Sequence, residues 1–275
     1  MNFLAKSKFI KFIFLFSSLL LLNQSAWAQL NLDKLSDENI KQVENLLAKL
    51  DPLIKQRDAQ ENLATLTFEE FYAPLTKEEK RFLKQFQNLN AKKLNVKIPF
   101  RGMAMGKEAL VVIKGQKVKV KGKDEEKELP PQFLPKEVYE SYFKMMEAME
   151  HDLGKRLYIE SGYRSSAYQV YLFVYYLKNH NYSIRETVKF VALPGFSEHG
   201  SPKPRHQAID FINQDGINGE DNPKEFEDLK EYEWLMKNAQ AFGFVLSYPK
   251  DAEKGITFEP WHWRYETLRP SSSYH

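Results

Sequence analysis

The chain has 275 residues, of which 43% are apolar and 14% aromatic. That suffices for one large domain, or a medium domain with an extension, and excludes a wholly disordered protein. A formal net charge of +3 and the lack of any cysteine exclude disulfide scaffolds and lipid anchorage through a thiol, and leave His, Asp and Glu as the metal ligands available.

Residues 1–28 read as a signal peptide. Lys6, Lys8 and Lys11 precede an apolar run over residues 12–22, too short to span a bilayer, and Ala26 and Ala28 supply the small residues of a cleavage site. Cleavage is expected after Ala28, with an uncleaved anchor helix as the alternative. It removes three of the 40 basic residues and none of the 37 acids, so the mature chain is formally neutral. A neutral chain has no net field to steer nucleic acid or anionic lipid, so no nucleic-acid partner and no stable membrane insertion are expected.

Residues 29–130 read as a mainly helical extension ending in short strands. Ser36 caps a helix over residues 35–50, with Ile40, Val43, Leu46, Leu47 and Leu50 at helical spacing. Thr76 and Glu79 form a capping box for a second helix. "NVKIPF", "EALVVI" and "KVKVKG" read as strands, the last two joined as a hairpin across Lys114, Gly115 and Gln116. The basic run over residues 114–123 reads as the wet face of that hairpin rather than a polyanion site, because Asp124, Glu125 and Glu126 follow it. "ELPPQFLP" marks a boundary near residue 130.

Residues 131–275 read as an α+β domain, a small and mostly antiparallel sheet flanked by helices. The pattern predicts a helix over Lys136–Leu153, a strand over Leu157–Ser161, and a helix over residues 166–179. A capping box from Ser183 to Glu186 opens a third helix that stops before Pro194. "HQAIDFI" is a strand, residues 231–242 a helix closed by Gly243, and "FVLSYP" and "ITFEPWHWRY" are strands.

In the last of these, Trp261, Trp263 and Tyr265 share one face, read as core rather than a stacking platform, while His262 and Arg264 share the other. Glu259 would lie opposite His262 on an ideal strand, so a kink at Pro260 is required to bring both to one site. Asp210 sits between Ile209 and Phe211 and has two histidines upstream. An extended strand would hold His206 about 13 Å from Asp210, too far to share a metal. His199 reaches Asp210 across a loop containing Gly200, Pro202 and Pro204. With His262 these would form a zinc site with one open position. Spacing alone leaves open that each histidine is an ordinary packed or surface residue.

"SGYRS", "PGFSEH", "AIDF" and "FEPWHWRY", in this order over about residues 136–266, resemble the signature blocks of the zinc D-alanyl-D-alanine carboxypeptidases. The resemblance is to the VanY-like branch of the LAS peptidases, whose superfamily includes hedgehog and lysostaphin-type domains. The final block is specific, "SGYRS" alone is weak, and nothing before residue 130 takes part. The resemblance implies a LAS/hedgehog-like peptidase fold and one zinc ion per chain. Its ligands would be His199 of the Ser-x-His block, Asp210 of the Ala-x-Asp block and His262 of the Glu-x-x-His block. It implies Glu259 as catalytic base and Arg164 as the substrate and transition-state residue. Tyr163, Gln169, Ser197, His206 and Trp261 are the further candidates for substrate contact.

One departure stands out. The family pattern is Ser-x-His-x-x-Gly-x-Ala-x-Asp, whereas here His199 and Asp210 are eleven apart and His206 takes the glycine's place. A four-residue insertion at "SPKP" accounts for it. The implied function is an exported, periplasmic or extracellular, wall-associated enzyme that removes the terminal D-Ala from peptidoglycan stem peptides. The alternatives are an L,D-carboxypeptidase, a D,D-endopeptidase, and a non-catalytic wall-binding module. Glu259 beside a full ligand set argues against the last.

Overall fold

The computed structural model describes residues 30–251 and 257–267; the signal peptide read from residues 1–28 lies outside the described residues. The chain opens with α1 (Asp37–Ala59), α2 (Phe68–Tyr72) and α3 (Lys77–Gln87). Ser36 caps α1, and Thr67 with Glu70 and Thr76 with Glu79 form reciprocal capping boxes on the other two. The first helix runs past the expected end at residue 50 and holds Pro52 in its interior. Its apolar spacing continues through Val43, Leu46, Leu50 and Ile54, and that buried stripe carries the helix on.

Two expectations are corrected here. Residues 95–100 form no strand. Leu94 and Val96 pack instead with the buried residues of the three N-terminal helices. The expected hairpin is not formed either: β1 (Leu110–Ile113) pairs with β4 (Gln132–Pro135), and β2 (Lys117–Lys119) with β3 (Glu126–Glu128). The chain parts at Gln116, whose buried amide exchanges two 2.9 Å hydrogen bonds with the backbone of Ile159. In β2–β3 the basic run meets the acids that follow it, Lys117 opposite Glu128 and Lys119 opposite Glu126.

Next come α4 (Lys136–Leu153), β5 (Leu157–Ser161) and α5 (Ser166–Tyr176), the first two with the predicted bounds. The third predicted helix is only the short α6 (Ile184–Thr187). Then follow β6 (Ala208–Asn213), α7 (Pro223–Glu227), α8 (Lys230–Asn238), β7 (Phe244–Leu246) and β8 (His262–Tyr265). The sheet order is β5-β6-β8-β7, antiparallel throughout, so the α+β layout stands. Its strand β8 begins later than expected: residues 257–261 precede it outside any strand, turning at Pro260 and Trp261, and 252–256 lie outside the described residues.

Two large buried clusters dominate the described residues, beside two small ones. One sits between the sheet and helices α4 and α8, with Met145, Phe211, Phe244 and Trp263. The other joins α1, α2 and α3 to α5, with Leu46, Phe71, Phe86, Val170 and Phe173.

Candidate active site

The sheet register builds the centre of the site. Asp210 on β6 stands directly opposite His262 on β8, and such pairs bring side chains on one face within about 5 Å. His262 Nδ1 lies 2.7 Å from Asp210 Oδ1. His199 arrives on the one-turn helix Glu198–Gly200, and its Nε2 is 3.0 Å from Asp210 Oδ2. Donor atoms of His199, Asp210 and His262 all fall within 4.8 Å of one another.

The outer nitrogen of each imidazole is also held. His199 Nδ1 is 2.7 Å from Gly162 O, which can only accept, so that nitrogen carries the proton and Nε2 presents its lone pair inward. His262 Nε2 is 3.2 Å from Glu198 Oε2, which leaves Nδ1 to face Asp210. Two imidazoles with pinned outer nitrogens plus one carboxylate are a donor set suited to zinc. Asp210 is held far below the usual carboxylate range. Burial opposes its ionisation, but the charges and hydrogen bonds of His199 and His262 outweigh that.

The kink required at Pro260 is present. His262 N donates to Glu259 O over 3.1 Å, closing a turn across Pro260 and Trp261, and Glu259 Oε2 then lies 3.9 Å from His262 Nδ1. Burial raises the Glu259 pKa to about 7, with the Asp210, Glu198 and Glu220 charges adding to the rise and His262 opposing it. Arg164 is half-buried, desolvation lowers its pKa, and its Nε has no hydrogen-bond partner. Its backbone N donates to His199 O (3.0 Å), tying the loop between β5 and α5 to the His199 turn. Gly162 in that loop is held by space: a Cβ there would meet Phe133 O at 2.7 Å.

A cleft of about 860 Å³ opens from this centre. Arg164, Glu259, Gln169, Ser197 and Trp261 line it, as do Leu94 to Ile98 of the extension. Gln169 Nε2 donates to Ala192 O (2.7 Å) while its Oε1 has no partner. Two further candidates lie elsewhere. Tyr163 is buried, donates its hydroxyl to Glu108 and accepts from Gly106 N (3.0 Å). His206 turns away, with Nδ1 2.9 Å from Glu266 Oε1.

Glu198 is the residue that sequence reasoning missed. Its Oε2 accepts from Ser247 Oγ (2.5 Å) and faces His262, while its Oε1 accepts from Arg101 Nη2 (2.7 Å). Burial alone would raise its pKa, but His262 and Ser247 as donors and the nearby charges push it down to about 2. An acid next to the histidine of Ser-x-His was the available signal.

The VanY family, described as D-alanyl-D-alanine carboxypeptidase, matches residues 131–268. The chain belongs to that family. It is therefore a member of a family of peptidases, and the blocks quoted from the sequence fall inside the matched stretch. A bifunctional D-Ala-D-Ala dipeptidase and carboxypeptidase, VanXYC of Enterococcus gallinarum, is 32% identical over 142 residues, 50% of this chain and 68% of that protein. A D-alanyl-D-alanine carboxypeptidase of Enterococcus faecalis (strain ATCC 700802 / V583) is 38% identical over 93 residues, 33% of this chain and 30% of that one. Among solved structures, the LD-carboxypeptidase LdcB is 28% identical with a TM-score of 0.44, covering 57% of this chain and 69% of that one.

Proposed function

We propose that the protein is an exported zinc D,D-carboxypeptidase that removes the terminal D-Ala from peptidoglycan stem peptides. The observation that carries this reading is the convergence of His199, Asp210 and His262 in one cleft with Glu259 and Arg164. His199 would hold the ion through Nε2, His262 through Nδ1 and Asp210 through a carboxylate oxygen. When bound, zinc supplies a Lewis acid and lowers the pKa of water from about 15.7 towards about 7.

The chain's own residues do the rest. Glu259, with its pKa raised to about 7, is poised to take the proton of the attacking water and hand it to the leaving amine. Arg164 offers a forked cation to the terminal carboxylate of the stem peptide, or to the oxyanion as it develops. A carboxylate-gripping arginine suits an enzyme that trims chain ends. Export is supported by the leader pattern of residues 1–28. Among the described residues no helix is long and apolar enough to cross a membrane.

The test is mass spectrometry of the mature chain with zinc on pentapeptide and tetrapeptide muropeptides, with Glu259→Gln alongside. The wild type should shorten the pentapeptide by one alanine. Glu259→Gln should keep its zinc and lose turnover by about 10²–10⁴-fold. Shortening of the tetrapeptide alone would move the assignment to an L,D-carboxypeptidase. Full activity in Glu259→Gln would remove Glu259 as the base.

A further inference from the structure

The stretch that leads from the N-terminal helices to β1 lies outside the family-matched residues 131–268, yet it is fixed against the site. Arg101 N and Gly102 N both donate to Gly195 O, at 2.7 and 3.3 Å. Ala104 N donates to Ser166 Oγ (3.0 Å), and Ser166 N donates to Ala104 O (2.8 Å). Gly102 has a φ of +114°, and a Cβ there would meet the Pro202 ring at 2.8 Å, so the stretch also abuts the inserted loop. These contacts aim the Arg101 guanidinium at the back of the metal-ligand cluster.

There it meets Glu198. Arg101 Nη2 is 2.7 Å from Glu198 Oε1, with the side chains 14% and 2% exposed. Arg264, the other cation nearby, is 4.0 Å from that oxygen, and its Nε is 2.9 Å from Glu266. Arg101 is thus the cation in direct contact with a carboxylate that water scarcely reaches.

We infer that Arg101, supplied by the N-terminal extension, is a positioning residue for the metal centre. It holds Glu198 where that carboxylate accepts the Nε2 proton of His262, and so keeps His262 Nδ1 turned towards Asp210. The inference rests on the zinc reading of the site. A buried carboxylate takes its orientation from its donors, because no solvent shell can replace them. Without Arg101, Oε1 is left with Arg264 alone, and the carboxylate is drawn off the His262 axis. A ligating histidine depends on the partner of its second nitrogen for tautomer, ring orientation and basicity.

The test uses the full mature chain as wild type, Arg101→Met, Arg101→Lys and Glu198→Gln. Zinc affinity is measured by competition with a chromogenic chelator, the ligand field by the visible spectrum of the cobalt(II) form, and folding by melting of the metal-free protein. Arg101→Met and Glu198→Gln are expected to weaken zinc binding by about 10–100-fold and to shift the cobalt spectrum. Arg101→Lys, which restores the cation, should recover most of both. Wild-type zinc affinity and spectrum in a folded Arg101→Met protein would overturn the inference and leave the zinc reading intact. Should Arg101→Met fail to fold, the same result in Glu198→Gln overturns it. A wild-type chain that takes up no zinc removes the zinc reading, and the inference falls with it.

Discussion

His206 stands where the family pattern has glycine, and its backbone explains the pattern. Its φ is 74°, in the left-handed region that a side chain enters at a cost of about 1–2 kcal/mol. Its N donates to Tyr265 O (2.7 Å) and its ring meets Glu266, which hold it there. His206→Gly should therefore keep zinc uptake and turnover within about threefold of wild type, as measured by chelator competition and muropeptide assay. Glu160 gives a second test, at the bulge between β5 and β6. Burial first, and then the Glu220 and Asp210 charges, raise its pKa to about 7 against the hydrogen bond from Asn218. The folded state thus binds this proton more tightly than the unfolded one, and stability falls as pH rises from about 4.5 to 7. Glu160→Gln should stabilise the fold at pH 8 by about 1–2 kcal/mol after allowing for solvent screening, read as a higher melting temperature, and change little at pH 4.

At the scale of elements, the site depends on which strands are neighbours. Alternation along "AIDF" and "HWRY" made the facing sides of Asp210 and His262 legible in the sequence, and the two prolines made the His199 loop legible. Alternation cannot say that β6 and β8 pair at that register, and it says nothing of Glu198, whose partners lie 97, 49 and 64 residues away. The helix over Lys136–Leu153 was readable from end to end, because its turns and its closing Gly154 are local signals. The false hairpin at residues 114–116 failed for the opposite reason: a distant strand edge captures Gln116. Gly162→Ala tests the β5–α5 loop. Its Cβ would push against Phe133 O and shift both the carbonyl that orients His199 and the loop that carries Arg164. The variant should fold with a lowered melting temperature, bind zinc more weakly, and lose activity out of proportion to stability.

Across the whole molecule, the boundary read near residue 130 divides the sequence but not the cores. Helix α5 lies inside the family-matched stretch, yet Val170, Phe173 and Val174 bury themselves among α1, α2 and α3. Ser165 adds to the joint, donating its hydroxyl to Leu66 O (2.6 Å) and its N to Ala64 O (2.8 Å). Trp234, Trp261 and Trp263 all sit in the other core, so their fluorescence reports the sheet side while far-ultraviolet dichroism weights the helices. The two signals should follow one urea transition, and Phe71→Ala should lower both midpoints together, a stability loss of about 3–5 kcal/mol. Two separate transitions would show that the halves unfold independently. The wall of the cleft formed by Leu94 to Ile98 extends this union to the reaction itself. Genetic exchange that joined residues 131 onward to a foreign leader would preserve every candidate ligand, yet forfeit that wall and bare the inner side of α5. Residues 131 onward, moved alone, would thus carry the candidate ligands without the surface that encloses them.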